Sequence, residues 1–527
     1  MHALIGLWPS LIVLGLTAVG GAAQLVGLRQ KASGWARVLP ALLGVYAGVQ
    51  IGLLVFLAAN HVAFPLNLEA MELTVLAHVR RVLVGLPLYV PATSDFTPLA
   101  YNPLYYFLAA PFAKIFGPSL FVLRGVSIVG MIGCGVVIFL AVRRLTASAW
   151  WGLLAVGVFS AAYRAMDTYL DNAHADSWLL FSALLGCYLI SLNRSRLVNI
   201  LGVVATIAAF WFKQPGAAIA LGAVLYLTIR DGRRAWPYWL IAFVLGPLLY
   251  LAAPASLLGP LFHLYTWSIP RQWLSLNLAT ARRLIAYFGR SYPLLAAGSL
   301  ALWLIDLRKR QLRLNIWTFL LPFVLLTAIS GAMDSESNNN VFIPLATWLI
   351  LVGVIAFEKL NRDIAWTREW GLMSAALGLT FALLAYNPAS VIASPQAGQA
   401  YADLQGFLPS LNGPVYAPWV GPLQDGFQFQ PTVHWVPMTD LVRGPGIDLA
   451  SNPAIHTLLG PVIHPTGRAY ILTNIPLHQD SALSFLGSAY VLDEDLGTRF
   501  SQLAALPKRY SLGWPRYLYV TTESSHP

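Results

Sequence analysis

Twelve apolar runs divide this sequence, and almost every charge falls between them. They lie at about 3–27, 38–60, 118–142, 147–162, 177–192, 197–212, 214–229, 235–252, 288–306, 315–332, 340–357 and 369–387. A helix rises about 1.5 Å per residue, so roughly twenty apolar residues match the hydrocarbon thickness of a bilayer. No soluble core has room for so many such runs. The composition agrees, with 57% hydrophobic and 10% charged residues against the roughly 25% charge of soluble domains. The fold class is therefore an α-helical polytopic membrane protein with about twelve transmembrane helices.

The connections alternate in charge. Arg29, Lys31 and Arg37 follow the first run, and Arg143 and Arg144 follow the third. Arg194 and Arg196, then Arg230, Arg233 and Arg234, then Arg308, Lys309, Arg310 and Arg313, then Lys359, Arg362 and Arg368 complete the series. These are 17 of the 33 basic residues in six short loops, which the positive-inside rule puts in the cytoplasm. The N-terminus, the loops at about 61–117, 163–176 and 253–287, and everything after residue 387 then face outward from a cytoplasmic (inner) membrane. "TAVGGAAQ" offers the small residues of a signal-peptidase site. However, no Lys or Arg precedes it, and cleavage would invert every later loop, so an uncleaved helix is expected.

The net charge of +11 does not mark a nucleic-acid surface, because the basic residues form small loop clusters. Cys134 and Cys187 both lie inside apolar runs, which excludes a disulfide framework or a cysteine metal site. From about 388 to 527 the apolar runs shorten to strand length. "GPVYAPWV", "GRAYILTN", "SAYVLDE" and "WPRYLYVT" are separated by turn residues, as in a small extracytoplasmic α/β domain. The expected division is 1–387 for the membrane part and 388–527 for this domain.

Chemistry concentrates on the outward loops. "LEAMEL" sets Glu69 and Glu72 three residues apart, hence on one face of a helix. On residues alone the plainer reading is a helix N-terminus, where negative charge is favourable by about 0.3–1 kcal/mol. Lys213, in "FWFKQPG", stands between two apolar runs, where an ammonium is costly unless paired or functional. Its alternative is snorkelling to the interface. Asp171, His174 and Asp176 bring carboxylate and imidazole together, yet their spacing matches no strong metal signature. Asp176 would equally cap the helix that follows.

These stretches resemble the GT-C superfamily of membrane glycosyltransferases, of the protein O-mannosyltransferase and aminoarabinose-transferase (family 39, Rgt-like) type. The likeness covers about residues 40–360. It rests on "LEAMEL", then "VRRVLVGLPLY", then "DFTPLAYNPLYYFLAAPFAKIFG" in the first outward loop. "YLDNAHADSWLLFSALLGCYLI" is similar to the family's second outward loop, and "AAFWFKQPGAAIALGAVL" to its Lys-Gln element. "MDSESNNNVFIPLATW" is similar to a late donor-contacting segment. The family usually has Asp at or beside the leading acidic position. Here both residues are Glu, which leaves open which one is the base.

The resemblance implies a GT-C fold and an inverting transfer from a polyprenyl-phosphate sugar to an acceptor hydroxyl or amine. It implies Glu69 or Glu72 as catalytic base. Lys213, then Arg282 and Arg283, then Arg271 are the candidates to hold the donor phosphate. Asp171, His174, Asp176, Tyr101, Asn339 and Asn340 are the candidates to contact substrate. Some members use a divalent cation and others do not, so none is assigned. The acceptor is unknown, whether glycan, glycolipid or protein. Two other classes compete. An isoprenoid-lipid carrier or flippase also fits many spans, but no matching pair of Gly/Pro-broken segments is found. A non-catalytic cell-envelope assembly protein would retain the fold and use its tail to bind a partner.

Overall fold

The apolar runs become helices whose lengths follow the runs. The computed structural model describes residues 15, 32–64, 67–334, 336–364, 371–392, 395–420, 429–430, 432–504 and 516–522. The first apolar run, Arg29, Lys31 and Arg368 lie outside the described residues.

The helices that frame the site are α1 (Ala32–Val62), α2 (Glu72–Leu83), α3 (Leu104–Phe116), α4 (Leu120–Thr146) and α5 (Ala149–Ala161). Then follow α6 (Asp176–Leu192), α7 (Arg196–Phe212), α8 (Gly216–Asp231) and α9 (Trp236–Phe243). Next are α10 (Leu278–Ser291), α11 (Pro293–Arg308), α12 (Leu321–Ala332), α13 (Ile343–Asp363) and α14 (Leu372–Leu383). Among the described residues, five helical stretches are long and apolar enough to cross a membrane, with shorter apolar helices between them. The protein is a membrane protein.

Burial orders the bundle. The apolar window of Asn339–Asp363 is 94% buried, against 22% for Gly216–Leu251, so α13 lies inside and the α8–α9 region outside. Val129, Ile132, Leu240 and Phe243 stay exposed, the surface that lipid rather than water would cover. Helix α3 falls within the loop read at about 61–117, outside the twelve apolar runs. It leaves Ile115 and Phe116 exposed.

Helices α6 and α7 pack closely because small residues face each other. A Cβ on Gly186 would stand 2.5 Å from the Gly202 carbonyl oxygen, so only glycine permits this approach. The hairpin between them turns at Asn193, whose φ of 48° suits the left-handed turn that Asn tolerates. Ser195 then caps α7 through the Val198 amide.

The basic connections gather at one end of the bundle. Arg144 Nη2 lies 3.4 Å from the carbonyls of Ser191 and Leu192, and Arg230 Nη1 donates to the Ile190 carbonyl at 3.1 Å. The loops after α1, before α6, after α7 and before α13 meet at the opposite end. There the chain's C-terminal part docks. Its five strands are β1 (Val415–Tyr416), β2 (Phe429–Gln430), β3 (Tyr470–Thr473), β4 (Tyr490–Asp495) and β5 (Tyr517–Thr521). The sheet order is β2-β1-β3-β5-β4. β1 runs parallel to β2 and β3, whereas β5 is antiparallel to β3 and β4. The four stretches expected as strands form β1, β3, β4 and β5, while β2 was not anticipated. Behind the sheet, Trp419 and Trp435 stack at 4.2 Å, and both indoles donate to Asp480.

Candidate active site

The α6–α7 hairpin explains how two distant charges meet. Asp176 begins α6 and Lys213 directly follows α7, so an antiparallel pair of equal length returns them to the same end. Lys213 Nζ donates to Asp176 Oδ1 at 3.0 Å and Oδ2 at 3.3 Å. It also lies 4.9 Å from the centre of the Tyr101 ring. Gln214, the other half of the Lys-Gln element, donates to the carbonyls of Ala100 at 2.8 Å and Thr266 at 3.0 Å. The element thus ties three outward loops together.

Asp176 collects further partners. Asn340 Nδ2 lies 3.3 Å from its Oδ2, and His174 Nδ1 hydrogen-bonds the same oxygen. The His174 ring meets Tyr101 and Tyr169 edge-on, at 5.1 and 5.4 Å. Burial lowers the imidazole pKa even against the pull of Asp176, so the neutral ring donates through Nδ1. Its Nε2 is then a lone-pair acceptor, and it is buried with no hydrogen-bond partner among the described residues.

The two glutamates have opposite fates. Glu72 is fully buried and receives Arg124 in a forked pair, Nε to Oε1 at 2.8 Å and Nη2 to Oε2 at 2.6 Å. The amides of Leu68 and Ala173 also donate to it, at 2.7 and 2.9 Å. Burial pushes its pKa up, but Arg124 outweighs this and holds the carboxyl below the usual range. Glu69 has no such partner. It is 3% exposed, accepts the Met71 amide at 2.9 Å and stands 3.4 Å from the Tyr169 hydroxyl. Burial first, and the Glu72 charge second, push its pKa up to about 8. The two candidates are thus unlike in surroundings: Glu72 has an ion-pair partner and, among the described residues, Glu69 has none. Arg124 itself sits inside an apolar run, a position where a charge almost always has a buried partner. That signal was present in the sequence.

Several expected contacts lie elsewhere. Asp171 is fully buried and accepts from His61 Nδ1 and the Tyr163 hydroxyl, both at 2.7 Å, so it braces α1 rather than joining His174. Arg283 donates to the carbonyls of Asp334, Ser337 and Asn338 and to the Ser337 hydroxyl, which occupies its guanidinium with backbone. Arg282 and Arg271 stand exposed, and Arg271 lines a separate cavity of about 410 Å³ with Trp267, Ser268 and Gln272. Asn339 turns to Asp167, its amide donating to Oδ2 at 2.7 Å. Tyr169 and Asn338 were not anticipated, yet Asn338 Nδ2 lies 3.1 Å from the Tyr169 hydroxyl beside Glu69. Among the described residues, no group of three or more His, Cys, Asp or Glu side chains is placed to hold a metal ion.

No protein-family model matches the sequence, and no curated protein does. Solved structures do. ArnT from Cupriavidus metallidurans in its apo state superimposes with a TM-score of 0.50 at 12% identity, over 94% of this chain and 99% of that one. The chain has the GT-C fold. The same ArnT bound to undecaprenyl phosphate gives 0.49 at 13% identity, covering 94% and 100%. The Archaeoglobus fulgidus oligosaccharyltransferase gives 0.50 at 10% identity, over 90% of this chain and 72% of that one. The sequence resemblance pointed to the same fold.

Proposed function

We propose that this GT-C protein is a glycosyltransferase that moves a sugar from a polyprenyl-phosphate donor to an acceptor hydroxyl or amine at the outward end of the bundle, with inversion. The observation that carries this reading is the unequal pair. Glu69 is a buried, unpaired carboxyl of raised pKa, and the Lys213–Asp176–His174 cluster shares its surroundings. A structural carboxyl would be matched, as Glu72 is by Arg124.

In this mechanism Glu69, once ionised, takes the proton as the acceptor oxygen or nitrogen forms its bond to the anomeric carbon. The bond from that carbon to the phosphate oxygen breaks, and its electron pair leaves with the lipid phosphate. A raised pKa makes Glu69 a stronger base than an exposed carboxylate, and positioned bases contribute about 10²–10⁴-fold. Lys213, held by Asp176 in the free protein, supplies positive charge for the departing phosphate. His174 Nε2 accepts a hydrogen bond from a substrate hydroxyl, which would satisfy its lone pair. Tyr101 and Asn340 line the same group of side chains. The basic connections at the opposite end of the bundle support, through the positive-inside rule, a reading in which this chemistry lies outside the cytoplasm.

The test is release of polyprenyl phosphate by the purified chain in lipid nanodiscs, from a panel of polyprenyl-phosphate sugars with membrane extract as acceptor. Release from one donor, reduced at least tenfold in Lys213→Met, is expected. Movement of intact donor across proteoliposomes without bond cleavage would replace this reading with the carrier.

A further inference from the structure

One guanidinium of the C-terminal part makes a concentrated contact with the membrane bundle. Arg443 forks onto Asp334, Nη1 to Oδ1 at 2.6 Å and Nη2 to Oδ2 at 3.0 Å. Its Nε donates to Asp440 at 2.6 Å, and its plane lies 3.9 Å from the Trp273 ring centre. Trp273 in turn donates from its indole to the Asp440 carbonyl at 3.0 Å. Its fork is taken by Asp334, its Nε by Asp440 and one face by Trp273, and the forked geometry on side chains only 11% and 13% exposed sets it apart from a surface ion pair.

What Arg443 grips is the start of a short segment that runs directly over the candidate active site. From α10, Arg283 binds the carbonyls of Asp334, Ser337 and Asn338. Asn338 then reaches the Tyr169 hydroxyl, Asn339 reaches Asp167 and Asn340 reaches Asp176. Two of these three consecutive asparagines, Asn338 and Asn340, thus meet groups of the site. A segment of this length cannot shift at Asp334 without disturbing them, because only a few residues separate the grip from the contacts.

We propose that Arg443 is a positioning residue: by clamping Asp334 it lets the C-terminal domain hold the Asp334–Asn340 segment in register with Tyr169 and Asp176, so that the lipid-phosphate site is complete only while that domain is docked. This rests on the lipid-phosphate reading above. It gives the C-terminal domain a role in assembling the site rather than in touching the reacting atoms. The contacts around the clamp fit this role. Thr74 of α2 and His434 hydrogen-bond at 2.8 Å, so the same docked surface also rests on the helix that Glu72 opens.

The experiment measures undecaprenyl phosphate binding by the full chain in nanodiscs, together with hydrogen exchange of 331–342. Arg443→Ala should weaken binding about 2- to 30-fold, the range of long-range coupling, and raise exchange in 331–342 while that of 343–357 stays unchanged. Arg443→Lys, which keeps the charge but not the fork, should fall between. The decisive reading is a double-mutant cycle. If Arg443 acts through the segment, Arg443→Ala should cost much less in an Asn340→Ala background than in the wild type. Arg516→Ala breaks an exposed pair with Asp495 in the same domain and should leave binding unchanged. Equal affinity and exchange in Arg443→Ala, or strictly additive losses in the cycle, would overturn the proposal. Failure of the wild type to bind undecaprenyl phosphate would instead overturn the lipid-phosphate reading beneath it.

Discussion

Glu72→Gln removes a charge from a guanidinium that has no access to water. Arg124 is fully buried, and besides Glu72 it donates to the carbonyls of His61 at 3.0 Å and Phe64 at 2.5 Å. Those carbonyls solvate it but cannot neutralise it. Removing one partner of a buried pair typically costs about 3–5 kcal/mol, a large part of a stability of roughly 5–15 kcal/mol. Glu69→Gln has the opposite sign. With its pKa near 8, Glu69 is mostly protonated at neutral pH, and the amide can still accept from Met71. The folded state binds this proton more tightly than the unfolded one does. Stability from this group is therefore greatest at low pH and is lost as pH rises from about 4.5 to about 8. Glutamine abolishes that loss, so Glu69→Gln should be as stable as the wild type at pH 4, below the window, and more stable at pH 9, by a few kcal/mol at most. The assay is thermal unfolding in detergent at both pH values, run beside donor turnover. Glu69→Gln should stay folded and lose about 10²–10⁴ in turnover, whereas Glu72→Gln should lose fold and turnover together. A well-folded but inactive Glu72→Gln, with Glu69→Gln active, would refute the assignment.

Further outcomes follow from the same geometry. Wild-type turnover should rise with pH and level off above about pH 8, gaining roughly tenfold from pH 7 because only about a tenth of Glu69 is ionised there. The charges facing Glu69 are Glu72, Asp176 and Lys213, and a rate flat from pH 6 to 9 would remove Glu69 as base. His174→Phe keeps an aromatic ring but loses both Nε2 and the Nδ1 bond to Asp176, and should lower kcat/KM by at least the roughly 5- to 150-fold cost of an unmatched substrate hydroxyl; wild-type kinetics in this variant would show that Nε2 touches no substrate. Gly186→Ala should destabilise by about 1–3 kcal/mol, since its Cβ meets backbone of α7. It should also loosen Lys213 from Asp176, read as weaker binding of undecaprenyl phosphate, and unchanged unfolding would contradict the close approach.

Much of this protein was legible because the bilayer leaves a chain few choices. Backbone polar groups must pair within each span, so run length alone gives helices, and the alternating basic loops give the two ends. The intervals from 38–60 onward each overlap an apolar helix for this reason. Tyr101, His174, Asp176, Lys213 and Asn340 were also chosen from the sequence, and they converge. All but Tyr101 are polar residues at the edge of an apolar run, where a polar group stays only if it has a partner or a task.

The sequence by itself determined the membrane class, the helices and the polar residues at their outward ends. Only the tertiary structure decided which partner each charge receives. Glu69 and Glu72 are the same side chain three residues apart, and what separates them is Arg124, 52 positions from Glu72 along the chain. The same holds for Asp171, claimed by His61 across 110 positions, and for Asp334, claimed by Arg443 across 109. Pairing energies depend on distances of a few ångströms in a medium of low dielectric. Local sequence sets which charges exist, and packing sets which of them stay unmatched and free to react.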